Sequence, residues 1–129
     1  MLEPRWIPRL AVDAMHFELL ERDGGLRGVR DENALESALG RPVNKRTYDP
    51  SVDVFDLGAA YGFGLATNHA YNDGNKRIAF AVMYTFLAMH GWEIDVPEPA
   101  VVTLMLDVAA GTMDEPALGQ WLRTHTVAF

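Results

Sequence analysis

The stretch "VFDLGAAYGFGLATNHAYNDGNKRIAFAVMYTFLAM", residues 54 to 89, decides the fold. It consists of two apolar segments around a polar interruption, "NHAYNDGNKR" at 68 to 77. Asp53 is placed to cap a helix running to about His69, whose apolar side chains occupy nearly every side. Gly58, Gly62 and Gly64 each cost about 1 kcal/mol of helix propensity relative to alanine, so tertiary packing must offset them. Small residues spaced along such a helix let a neighbour come close, which predicts a central, tightly packed element. The second segment reads as a helix from near Asn75 to about Met89, stopped by His90-Gly91. Two consecutive helices that are apolar all round predict a central buried hairpin wrapped by the rest of the chain.

Upstream, Pro8 suits a first helical turn, and Leu10, Ala14, Phe17 and Leu20 follow at helical spacing until Gly24-Gly25. Asp31 or a neighbour caps a short helix carrying Leu35, Ala38 and Leu39, and Arg41-Pro42 is expected to end it. "RPVNKRTYDPS" then reads as a polar loop. Downstream, "WEIDVPEP" is an extended connector or short strand with Trp92, Ile94 and Val96 on one face. Pro99 opens another helix, and Asp114 with Pro116 opens a last one bearing Leu118, Trp121 and Leu122. Six helices with little or no sheet predict one all-α domain over residues 1–129, without repeats, low-complexity segments or linkers.

Hydrophobic residues at 49% and charged ones at 22% give a chain able to bury a core, and the absence of cysteine excludes disulfides and thiolate metal sites. The net charge of −7 repels nucleic-acid phosphates over most of the surface, so nucleic acid is not an expected partner. Arg41, Lys45 and Arg46 cluster as a solvated loop or as a contact for an acidic ligand. "MLEPRWIPRL" does not read as a signal peptide, and Ile78 to Met89 is too short to cross a bilayer, so no membrane association is expected. A cytoplasmic location follows by elimination. Trp6, Trp92 and Trp121 read as core aromatics, with an exposed partner contact as the alternative.

The polar interruption carries the chemistry. Gly74 can adopt positive φ or admit a ligand to the backbone, and the N–H groups after it lack intrahelical acceptors at the positive end of a helix dipole. Lys76 and Arg77 in a first helical turn oppose that dipole, which makes sense if an anion sits between them and it. Arg77 can clamp phosphate oxygens bidentately, and Lys76 adds a flexible point charge. The alternative is a solvated turn with exposed charges. Asp73 can hold Mg²⁺ through substrate phosphates or serve as an Asx turn or helix cap. His69 can accept a proton from a hydroxyl nucleophile or be structural. His16, His90 and His125 lie in other segments without ligand spacing, so a dedicated histidine metal site is not indicated.

His69-Ala70-Tyr71-Asn72-Asp73-Gly74-Asn75-Lys76-Arg77 resembles the active-site motif of the Fic/Doc family, H-[PFI]-x-x-[DE]-G-N-G-R in the Fic branch and H-x-F-x-D-[AG]-N-K-R in the Doc branch. The similarity extends to "GGLRG", "LESALGRP", "FLAMHGWEI" and "AAGTMDE". The resemblance implies that His69 is the catalytic base, that Asp73 holds the Mg²⁺-phosphate assembly, and that Asn72, Gly74, Asn75, Lys76 and Arg77 bind the nucleotide phosphates. Fic enzymes that transfer AMP have glycine at the position of Lys76, and many carry a second arginine where this chain has Phe80. Ala70 also replaces a frequent proline.

These departures favour the Doc branch. The implied activity is transfer of the γ-phosphoryl group of ATP to a Ser or Thr hydroxyl, with AMP transfer or a catalytically silent helical module as alternatives. The family's associated target is a translation elongation factor of the Tu type, and its modification arrests protein synthesis. No self-inhibitory [ST]-x-x-x-E-[GN] segment is present. Inhibition is therefore expected from an antitoxin protein whose amphipathic segment packs into a groove near the active site.

Overall fold

The computed structural model describes residues 3–129, which form six helices and two short strands, an all-α architecture. Helix α3 (Val54–Thr67) is the centre: ten of its residues are buried, and it packs against α2 (Glu32–Tyr48), α4 (Asn75–Met89), α5 (Glu98–Ala110) and α6 (Glu115–Thr124). It starts with a reciprocal cap. Asp53 Oδ1 accepts from the Asp56 N–H at 2.9 Å, and Asp56 Oδ2 accepts from the Asp53 N–H at 3.1 Å. Arg123 of α6 pairs with both carboxylates, so the same residues tie α6 to the start of α3.

The glycines of α3 are points of close approach. A Cβ on Gly62 would stand 2.6 Å from Met83 Sδ, and one on Gly58 would stand 3.2 Å from Leu87, so α4 side chains occupy the space left by both. Gly64 faces the backbone of α2, where a Cβ would be 3.3 Å from the Ala38 Cα. Each fully buried Leu, Ile, Met or Phe at these contacts contributes roughly 1.5–3 kcal/mol, enough to outweigh the propensity cost of the glycines.

Helix α1 (Arg9–Asp23) packs against α4, and its buried face shares only Leu20 with the apolar positions read at helical spacing. Val12, His16 and Leu20 are the buried residues, whereas Leu10 is 82% and Phe17 55% exposed. The two i, i+4 faces are close around the helix, and the neighbours rather than the count of apolar residues chose between them. Helix α2 also departs from expectation: it continues through Pro42 to Tyr48, so "RPVNKRTY" is helix and not loop. Proline removes one helical hydrogen bond at a cost of about 3 kcal/mol. Here Pro42 is buried against the core side, and Arg41 and Lys45, one turn apart, both bond Glu115 of α6. Arg41 and Lys45 therefore clamp α2 to α6, whereas Arg46 donates to Pro50 O at 2.7 Å.

Strand β1 (Trp92–Ile94) pairs antiparallel with β2 (Thr126–Ala128), Glu93 opposite Val127, and holds the chain's last residues beside α4. The tryptophans are partly buried against the core, Trp6 stacked on Phe86 and Trp92 edge-on to Phe55. No helix of the described residues is long and apolar enough to cross a membrane.

Candidate active site

The loop between α3 and α4 is not a free turn. Residues 26 to 31 run alongside it and tie it down: the N–H groups of Arg30 and Asp31 both donate to Ala70 O, at 2.8 and 3.1 Å, and Asn72 N–H donates to Gly28 O at 3.0 Å. Val29 and Tyr71 form an antiparallel bridge. Arg30 Nε donates to His69 O at 2.9 Å, and Asn72 Nδ2 to Arg27 O at 2.9 Å. These bonds hold His69 at φ 52°, the only left-handed non-glycine among the described residues. Such a conformation costs a histidine of the order of 1 kcal/mol and persists where surroundings over-determine it, a pattern concentrated at functional sites. The imidazole is exposed and makes no hydrogen bond among the described residues.

Asn75 locks the loop from the other end. Its side-chain Oδ1 accepts from Tyr71 N–H and its Nδ2 donates to Tyr71 O, both at 3.0 Å. The carboxamide of Asn75 is thus spent on the loop, and that of Asn72 on the neighbouring segment. Gly74 then turns at φ 74° into α4 without a side-chain cap. Its own N–H donates to Asp73 Oδ1 at 2.8 Å, but the N–H groups of Asn75, Lys76 and Arg77 have no acceptor among the described residues. The first main-chain bond of the helix runs from Ile78 N–H to Gly74 O at 2.9 Å. Three unpaired amides at a helix start form an anion cradle.

Asp73 lies across the entrance of this cradle. Its Oδ2 accepts from Leu26 N–H at 3.1 Å. The main-chain donors of Leu26 and Gly74 hold its carboxyl below the usual carboxylate range. Arg77 is oriented by acidic neighbours, with Nη1 3.6 Å from Asp23 Oδ2 and 3.3 Å from Gly24 O, and Nη2 3.8 Å from Asp73 Oδ1. Lys76 is exposed and forms no ion pair among the described residues. No cluster of three or more His, Asp or Glu side chains among the described residues suits a metal ion by itself.

His16, which lacks ligand spacing in the sequence, reaches the loop from α1. Its Nε2 lies 2.8 Å from Asp73 O, and its ring stacks on Tyr71 at 3.7 Å between centroids. The signal was a buried stripe at four-residue spacing, Val12, His16 and Leu20, in which a polar residue is out of place. Tyr71 donates in turn to Asp13 Oδ1 at 2.8 Å. Burial first, and the Asp13 bond second, push its phenol well above its ordinary range.

This loop-and-cradle arrangement has known counterparts. A sequence profile of the Fic/DOC family matches residues 6–87, well over half of the chain. The chain belongs to the Fic/Doc family. The Fic/Doc segment takes in α1 to α3 and α4 as far as Leu87, and so the whole of the loop and the segment that braces it. Among its relatives is "Protein kinase doc" of Escherichia phage P1, 32% identical over 111 residues that span 85% of this chain and 86% of the phage protein. "Toxin Doc" of Mycolicibacterium smegmatis is 37% identical over 94 residues, 70% of this chain and 72% of that protein. Both relatives carry the Doc name, in line with the Doc-type loop ending in Asn75-Lys76-Arg77.

Proposed function

We propose that this chain is a Doc-type toxin that transfers the γ-phosphoryl group of ATP to a serine or threonine hydroxyl of a translation elongation factor of the Tu type. The observation that carries the reading is the cradle itself: unpaired amides of Asn75, Lys76 and Arg77 with two cations, at one end of a braced loop that presents a left-handed, exposed His69 at the other. The phage relative's name as a protein kinase, and the mycobacterial one's as a toxin, support the same reading. So does Lys76, whose side chain stands where AMP-transferring Fic enzymes leave space.

In the proposed reaction, His69 accepts the target hydroxyl proton while the hydroxyl oxygen bonds to the γ-phosphorus and the bond to the β-phosphate oxygen breaks, releasing ADP. Arg77 exchanges its contacts with Asp23 and Asp73 for phosphate oxygens, and the helix amides neutralise the remaining charge. Asp73 fits a Mg²⁺ site shared with phosphates: each of its oxygens accepts one N–H bond and retains a lone pair, and its side chain is 47% exposed. When bound, the ion offsets charge on the transferred group.

Control from outside fits a groove between α1 and α4 beside the site, lined by Met15, Glu18, Leu19, Arg22 and Ala81. Its mixed apolar and charged lining suits one face of an amphipathic antitoxin segment. Growth on induction should fall without a cognate antitoxin and recover with it; equal growth in both cases removes the toxin reading.

The deciding experiment incubates the full chain with ATP, Mg²⁺ and a bacterial elongation factor and weighs the factor by mass spectrometry. A gain of one phosphoryl group is expected. A gain of one adenylyl group assigns AMP transfer instead, and an unchanged factor rejects this target.

A further inference from the structure

We propose that His16 is a positioning residue of the phosphate site, holding the Asp73–Gly74 peptide with its carbonyl turned inward so that this carbonyl oxygen does not face the anion cradle. The inference rests on the phosphate-binding reading of the loop, and it assigns a task to His16, which apart from the tyrosines is the one buried polar or charged side chain among the described residues. A carbonyl only accepts, so Nε2 of His16, 2.8 Å from Asp73 O, carries the proton and donates.

The peptide is planar and trans, so the direction of the Asp73 carbonyl fixes the opposite direction for the Gly74 N–H. With the carbonyl held by His16, that N–H meets Asp73 Oδ1 at 2.8 Å and the carboxylate is set at the entrance. Rotation of this peptide would break the bond between the Gly74 N–H and the carboxylate and place a carbonyl dipole, negative end outward, beside the unpaired amides of Asn75 to Arg77. Gly74 alone would not resist it, because glycine has no Cβ to penalise the alternative φ and ψ. The side of His16 is closed as well: a Cβ on Gly74 would lie 3.5 Å from Nε2 and 3.4 Å from Leu20 Cδ2.

The imidazole is itself fixed. Tyr71 covers one face at 3.7 Å with 14° between planes, and the Tyr71 hydroxyl is anchored on Asp13, which Arg9 holds at 2.9 Å. Arg9, Asp13 and His16 share a face of α1, so one helix supports the loop through a continuous chain of contacts.

Glutamine can present its amide nitrogen near the place of Nε2, whereas asparagine is one bond too short, so the pair His16→Gln and His16→Asn separates the donor from general packing. In the wild-type chain at neutral pH, long-range nitrogen–proton NMR should find the ring proton on Nε2; a proton on Nδ1 alone overturns the proposal. Inorganic phosphate and ATP titrations should weaken about tenfold in His16→Asn, the order expected when a buried carbonyl loses its donor, and stay within about threefold in His16→Gln. Amide exchange of Gly74 and Asn75 in the ligand-free protein should quicken in His16→Asn and not in His16→Gln. If both variants merely lose thermal stability while phosphate affinity and exchange match the wild type, His16 is structural and the proposal fails. Should the wild type bind neither phosphate nor ATP, the phosphotransfer reading fails, and the tautomer and exchange measurements still decide what His16 does to the loop.

Discussion

Gly25→Ala tests whether residues 24 to 31 hold the loop of the candidate site in register. A Cβ at position 25 would stand 2.8 Å from Asp73 Oδ2, 2.9 Å from Leu20 Cδ2 and 3.3 Å from Arg77 Nη2, and Gly25 sits at φ 129°, where L side chains are strained. The backbone term alone costs about 1–3 kcal/mol. The contacts cannot all relax, because Leu20 is buried in the core and Asp73 Oδ2 is already at the long end of its 3.1 Å bond with Leu26. Asp73 must therefore move by some tenths of an ångström. Since misplacing a reacting group by ~1 Å costs about 100-fold, that shift predicts roughly a tenfold loss of activity on top of a stability loss of about 2 kcal/mol. Gly111→Ala is the matched control: it is also left-handed, at φ 82°, but has open space around it, so it pays about 1 kcal/mol of backbone strain and keeps full activity. Denaturant unfolding and phosphate titration of both variants read the two effects. Equal stability losses together with equal phosphate affinity would refute the claim that this segment presses on Asp73.

His69→Ala should reduce phosphoryl transfer 10² to 10⁴-fold, while its unfolding midpoint stays near that of the wild type, because the imidazole has no hydrogen-bond partner among the described residues to lose; full activity in a folded variant removes it from the mechanism. Arg77→Gln should weaken phosphate affinity at least tenfold, by calorimetry, with little change in melting temperature, since its ion pairs with Asp23 and Asp73 are at the surface. Acid should destabilise the fold in a defined window. Asp73 is held below its ordinary value by the N–H groups of Leu26 and Gly74, Glu32 by Arg9, and Asp56, against the opposing effect of burial, by Arg123. Their contribution is complete above the unfolded carboxylate values of 3.8 and 4.5 and is lost as pH falls through the lower folded ones. Tyr61 and Tyr71, raised chiefly by burial, act at the other end: their contribution is complete below 10.0 and lost as pH climbs toward the folded values. A melting temperature that drops between pH 7 and 5 contradicts the carboxylate assignment.

What the sequence determined by itself was local. The caps at Asp31, Asp53 and Asp114, the start of α4 after Gly74 and the stop near His90-Gly91 follow from side chains acting on backbone groups a few residues away. The apolar side chains on nearly every side of residues 54 to 67 and 78 to 89 likewise required burial wherever they lay, so the central hairpin was legible. Long-range packing decided the rest. Pro42 remains inside α2 because α6 supplies Glu115 to Arg41 and Lys45, a partner some 70 residues away that local rules cannot weigh. The buried face of α1 depended on where α4 and the loop lay. The motif named the residues of the candidate site, but not their tasks. Asn75 bonds Tyr71, Arg77 leans on Asp23, and His16 reaches Asp73 from 57 positions away, because hydrogen-bond partners are set by geometry in space and not by spacing along the chain.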